Sequence, residues 1–331
     1  MAYDALVERL ADPPDASVSA FPDGSVDTRF RVSHGEEEID TRRRLGEQIS
    51  DGEFDSYRLH SREATTGGQA PNAAEQAAAL GADTALAGHL DHELFSYLSC
   101  STYSMGEPAT VSVFELEDGD VMFAAESHDI EAWTLEDLLD VVPEEFFHAD
   151  AAFGGNWVSI PAMTGALESL DEHLSCETFV FDPGNLTGYD ESRIRDLCAA
   201  LSGTCSETVL SLNRAETNAV ADAFGVDGDG ETQVRGIASE TGLTAVCHGA
   251  TAALLATPER FVRVPNLDVG TPVRQAGGGD RFGGGLAVAR GAGWEWETAL
   301  ACGNACASRF VATGETGSRD AVREFVARAM D

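Results

Sequence analysis

From residue 134 to the C-terminus, segments of helical spacing alternate with short β-rich segments, and this rhythm limits the possible architecture more than any other feature. "TLEDLLDVV" reads as a helix and "AAFGGNW" as a strand running into a loop. "MTGALESLDEHL", "ESRIRDLCAAL", "RAETNAVADAFG" and "GETQVRGIASETG" are helices, with "TFVFD", "TVLSLN" and "LTAVCHG" as strands among them. Strands separated by helices pair in parallel, because a parallel connection needs a crossover, and the helices then cover both faces of the sheet. An "ALLAT…RFVRVPN" β pair follows, and helices fill the C-terminus. Earlier in the chain, residues 1–16 are a short amphipathic helix ended by "DPPD" and "SVSAF" is a strand. "PNAAEQAAALG" is a helix stopped by Gly81, and "TALAG" is a strand. The predicted fold is α/β: a doubly wound, mainly parallel sheet.

Two stretches break the rhythm. Residues 28–66 are polar and charged, with "RFRVS" and "SYRLHSR" as exposed strands, and residues 109–125 form a hairpin around "EDGD". They are expected to make a small second sheet, a lid inserted in a single domain spanning residues 1–331. Its exposed edges invite pairing with a second copy, so a homodimer through the lid is expected.

Charge narrows the list of partners. The chain has 57 acidic residues against 21 basic ones, a formal net charge of -36, and every basic residue is arginine. A hydrophobic fraction of 43% still argues for a packed core. A folded surface this acidic repels itself unless salt screens it, which points to a halophile's cytosol. No basic face is offered to a nucleic-acid backbone. Without lysine there is no Walker lysine, no Schiff-base lysine and no kinase strand lysine. The N-terminus is charged and lacks an apolar run, and no stretch reaches membrane-spanning length, so a soluble, cytoplasmic protein is expected. Of seven cysteines, Cys302 and Cys306 share a helix face, where core packing is the expectation. His89, Asp91 and His92 lack a third helix-spaced ligand and read as surface loop residues.

The stretch "RQAGGGDRFGGGLAVARG" carries the chemistry. Six glycines and one acid lie between Gly277 and Gly285, at the start of a helix, although each glycine costs a helix roughly 1 kcal/mol against alanine. Glycine lets a ligand touch the main chain, and a helix N-terminus presents free N–H groups and partial positive charge. Together they make an anion site suited to phosphate. Asp280 would repel phosphate unless it had a task, and one task fits: taking the proton from a hydroxyl that attacks the phosphate. A helix cap is the structural alternative.

Five blocks in order resemble the ribokinase-like (PfkB) carbohydrate kinases. "AGGGDRFGGGLAVARGAGWEWETALACGNACA" resembles their C-terminal signature, and "TTGGQAPNAAEQAAALGADTALAG" their N-terminal one. "FDPGN", "SLNRAETNAV" and "AVCHGATAALL" match elements between them. The resemblance implies a doubly wound domain with a β lid. It also implies a Mg²⁺-dependent transfer of the γ-phosphoryl of ATP to a hydroxyl of a sugar or sugar acid. By the same resemblance Asp280 is the catalytic base, and Gly277, Gly278 and Gly279 are the anion hole. Asp27, Gly67, Gly68 and Asn72 hold the sugar. Asn213 and Glu216 organise Mg²⁺ and its waters, Glu216 acting through water. Gly249 and Asn304 lie on the nucleotide side. Several have a structural alternative: Asp27 as a turn residue, Asn72 as a helix N-cap, Asn213 and Glu216 as a capping box, and Asn304 as a helix-bundle hydrogen bonder.

Two departures from the family pattern stand out, both expected on the nucleotide side. Arg274 replaces an acid, and Cys247-His248-Gly249-Ala250-Thr251-Ala252 replaces a Thr-x-Gly-x-x-Gly run. They leave a non-catalytic relative that binds sugar or nucleotide as one alternative to an ATP-dependent enzyme; "SVD", "GGQA", "GGGD" and "NRAE" also resemble the ADP-dependent sugar kinases of the same superfamily, which gives the other.

Overall fold

The strands Ser17–Phe21, Ala151–Gly155 and Thr178–Asp182 are buried along almost their whole length, as strands covered on both faces must be. In the computed structural model, which describes residues 2–52 and 54–330, they lie near the middle of a nine-stranded sheet. From one edge to the other its strands are Phe261–Pro265, Ala252–Ala256, Thr244–His248, Glu207–Leu212, Thr178–Asp182, Ala151–Gly155, Ser17–Phe21, Asp83–Gly88 and Ser101–Ser104. All neighbours pair in parallel except the last two pairings at the Phe261–Pro265 edge.

The pleat of each strand divides the core in two. Val180 points into one core, while Phe179 and Phe181 point into the other. The first core packs against the helices Gln69–Leu80, Gly278–Gly291 and Trp296–Thr313. The second packs against Leu135–Val141, Met163–Leu170, Glu191–Leu201, Arg214–Ala223 and Gly230–Thr241. Cys302 and Cys306 are fully buried in the first core. No helix among the described residues is long and apolar enough to cross a membrane.

The second glycine triplet, Gly283 to Gly285, serves this packing. A methyl group on Gly284 would lie 2.4 Å from the carbonyl oxygen of Ala73 in the helix Gln69–Leu80. One on Gly285 would lie 2.9 Å from Cys306 Sγ. Two neighbouring helices thus approach the glycine helix closely, which holds its N-terminus against the end of the sheet.

Five strands, Ser25–His34, Glu37–Ile39, Arg58–Gly67, Ala109–Phe114 and Val121–Ala125, form the smaller sheet. Ser25–His34 pairs antiparallel with Arg58–Gly67 and parallel with Ala109–Phe114. The stretch 28–66 also holds a helix, Arg42–Asp51, that its strand-like reading missed. Thr41 caps it and Gly52 ends it, but its one buried residue, Leu45, leaves little apolar periodicity to see among three consecutive arginines. His89 corrects the surface-loop reading: it is 1% exposed, and its Nδ1 bonds the Pro22 carbonyl at 2.9 Å. Asp91 and His92 are exposed.

Candidate active site

Parallel strands all end at the same edge, so the loops beyond their carboxyl ends converge, and in open α/β sheets that is where ligands bind. Here Asp182 and His248 are the last residues of their strands, and Asn156 and Asn213 follow theirs within one residue. These ends, the glycine turn and the underside of the smaller sheet enclose a cavity of about 1140 Å³. Gly277, Gly278, Gly279, Asp280, Asp27, Gly68, Asn72, Asn213, Glu216, Gly249 and Asn304 all line it. Gly67 does not; it lies under Asp27, where a methyl group would come within 2.2 Å of the Asp27 Oδ1.

Gly277 has φ 89 and turns the chain into the helix Gly278–Gly291, placing Asp280 in its first turn. Asn72 Nδ2 donates to Asp280 Oδ2 at 2.6 Å. Asn72 lies inside the helix Gln69–Leu80, whose N-cap is Gly68 with φ 96, so the capping alternative for Asn72 does not apply. Desolvation in the cavity and the charge of Asp182 push Asp280 up to about 7, while Arg281 and the Asn72 hydrogen bond pull the other way. A carboxyl tuned near neutrality is suited to accepting a proton.

Asp27 sits on the strand Ser25–His34 rather than in a turn, and accepts a 2.7 Å hydrogen bond from Ser25 Oγ. Asn213 and Glu216 do form a capping box. Asn213 Oδ1 accepts from the Ala215 and Glu216 N–H groups, and Glu216 Oε2 accepts from the Asn213 N–H at 2.7 Å. The same Glu216 faces the cavity, where burial and Asp182 push it up to about 8. Asn304 Nδ2 donates to the Val264 carbonyl at 3.2 Å, and the Gly249 carbonyl accepts from Asn266 Nδ2 at 2.8 Å.

Sequence reasoning missed three members of the site. Asp23 accepts the first free N–H groups of the helix Gln69–Leu80, from Gln69 and Ala70, at 2.8 Å each, and burial raises it to about 6. Asn156, in left-handed conformation with φ 59, donates to Asp23 at 3.1 Å. Gln69 Nε2 donates to Asp182 Oδ1 at 2.8 Å. "PDGS" reads as a turn, and only the position of Asp23 just past a strand end signals more. Arg274, expected on the nucleotide side, lines the same cavity and lies over the Phe310 ring, 5.4 Å from its centroid.

A family model for prokaryotic ketohexokinase matches residues 27–328. A ketohexokinase from Haloferax volcanii is 29% identical over 264 residues, covering 72% of this chain and 67% of that one. Among solved structures, ribokinase from Thermotoga maritima superposes with a TM-score of 0.70 at 17% identity, over 96% of this chain and 99% of that one. Fructokinase with bound ATP from Xylella fastidiosa superposes with a TM-score of 0.67 at 13% identity, over 95% of this chain and 99% of that one.

Proposed function

The chain belongs to the prokaryotic ketohexokinase family and is a sugar kinase; from that premise we propose that it transfers the γ-phosphoryl of ATP to a hydroxyl of a ketohexose. The observation that carries this reading is the meeting of the Asp280 carboxyl with the N-terminus of the glycine helix at one cavity wall. The first can take a proton from the attacking hydroxyl, and the second can stabilise charge on the phosphoryl group.

Asn72 orients the Asp280 carboxyl, holding it from the neighbouring helix. Asp27 and Asn72 hold sugar hydroxyls, a carboxylate accepting and an amide both donating and accepting. Gly67 and Gly68 clear the space for Asp27 and for the turn into the helix. The Gly278 N–H is taken up by the Gln275 carbonyl at 3.1 Å, so the N–H groups of Gly277 and Gly279 are the ones offered to the phosphoryl. Gly249 and Asn304 line the nucleotide side. The smaller sheet, whose Met122 and Ala124 line the cavity, covers the sugar and keeps water away.

Mg²⁺ fits the donor set. Glu216 and Asp182 are buried carboxylates, each raised by burial, and the charge of Asp182 raises Glu216 further, which a hard cation would relieve. Among the described residues no three His, Cys, Asp or Glu side chains make a metal cage. The ion would therefore be held by Glu216 through water and by the phosphates, the usual mode for Mg²⁺. When bound, it neutralises phosphate charge.

We place the protein in a salt-rich cytoplasm on its charge, and we propose that two copies pair through the lid, where Leu59 and Phe123 are exposed. The direct test of function is a coupled assay at multimolar KCl with a panel of ketohexoses, aldohexoses and sugar acids, and with ATP or ADP as donor. Turnover of a ketohexose with ATP and Mg²⁺ is the expected result. Turnover with ADP alone, or binding without turnover, would overturn it.

A further inference from the structure

The altered run Cys247 to Ala252 leaves one buried group without a partner. His248 lines the cavity with its side chain 14% exposed, and its Nε2 is buried with no hydrogen bond. Three surfaces meet around that atom. Asp182 Oδ2 lies 4.0 Å away, beyond hydrogen-bond reach. The Phe282 ring, 5.1 Å between centroids, packs on the imidazole and restricts its tilt. On the third side is Gly279, where a methyl group would lie 3.0 Å from Cε1 and 3.6 Å from Nε2. Gly279 thus keeps a gap open between the imidazole and the N-terminus of the glycine helix.

Buried polar atoms are normally paired, so the partner of this one should come with the ligand. The gap borders the N–H groups that attract an anion, and the chain has no lysine to serve there. We propose that His248 Nε2–H donates a hydrogen bond to a non-bridging oxygen of the transferring phosphoryl group and stabilises its charge in the transition state. His248 neither gains nor loses a proton. The bond from the sugar oxygen to the γ-phosphorus forms as the bond from that phosphorus to the β-phosphate oxygen breaks, and the hydroxyl proton goes to Asp280. This inference rests on the kinase reading above.

Steady-state kinetics of the full chain, with His248→Ala and His248→Gln, tests it. Loss of one charge-stabilising donor should lower kcat of the alanine variant about 10²-fold. KM for the sugar and the Kd of Mg·ADP measured by calorimetry should stay within about threefold, since the contact is made in the transition state. The glutamine variant, which keeps an N–H donor, should recover part of the lost kcat. If the alanine variant melts below assay temperature, His248→Leu, which keeps bulk but has no donor, decides in its place: a lowered kcat with unchanged KM supports the proposal, and a kcat within about threefold of wild type overturns it. A kcat within about threefold of wild type in the alanine variant would overturn the proposal, as would a rise in nucleotide KM with kcat intact. Active wild type with an equally active His248→Ala would sink this inference alone. Wild type inactive on every sugar would sink the kinase reading and this inference with it.

Discussion

Replacing Asn72 by alanine should move the acid limb of kcat/KM toward higher pH. Asn72 Nδ2 lies 2.6 Å from Asp280 Oδ2, and this bond favours the ionised carboxylate. Hydrogen bonds to charged groups are worth about 1.5–3 kcal/mol, and the protonated form retains part of that. A net differential of about 1.4 kcal/mol corresponds to roughly one pKa unit. Asp280, already raised to about 7, would then titrate roughly one unit higher. Only the ionised form can accept the hydroxyl proton. Near pH 7 the competent fraction should fall from about one half to about one tenth, a rate loss of roughly fivefold. By about pH 9 both enzymes are ionised, so the gap should narrow there to the part that comes from the sugar contact Asn72 also makes. The assay is kcat/KM for the sugar from about pH 5.5 to 9.5, at multimolar KCl and saturating Mg·ATP, since that parameter reports the enzyme before the sugar binds. An acid limb that stays in place would refute the reasoning, and so would an equal loss at every pH.

Other outcomes follow from the same structure. Gly284→Ala pushes a methyl group to 2.4 Å from the Ala73 carbonyl oxygen, so it should destabilise the fold by about 1–3 kcal/mol; an unchanged melting temperature would refute the close-packing account. Asp23, Asp280 and Glu216 have folded pKa values raised to about 6, 7 and 8, so the folded state binds more protons than the unfolded one. Metal-free protein in multimolar KCl should therefore lose stability as pH rises from the unfolded carboxylate range, near 4, toward 8, and Glu216→Gln should flatten the slope. A melting temperature that rises across that window would contradict the assignment. With a net charge of -36, stability and activity should climb together as KCl enters the molar range, where the screening length shrinks to about 3 Å. A flat or falling melting curve would rule out the halophile reading.

Legibility followed periodicity. The strands from Ala151 to His248 announce themselves because a strand covered on both faces is a short apolar run between amphipathic helices. The helix Arg42–Asp51 was hidden because it buries a single residue. The glycine motif was readable for its first triplet, where a turn and free N–H groups are needed. The second triplet's role depends on Ala73 and Cys306, which are distant in sequence and adjacent only in the fold. Asp23, Asn156 and Gln69 escaped for the same reason: each works by bonding a group from another strand end or helix. Glu216 was legible as half of a capping box, and its raised proton affinity required knowing that the fold buries it and sets Asp182 beside it.

The central claim is that Asp280 takes the proton of the attacking hydroxyl at the N-terminus of the glycine helix. Asp280→Asn keeps the shape and can still hydrogen-bond with Asn72, but it removes the base. Sugar and Mg·ADP binding, followed by calorimetry, should stay near wild type, while kcat with the preferred sugar should fall by about 10²–10⁴-fold or more. An asparagine variant that turns over within about threefold of wild type would contradict the claim.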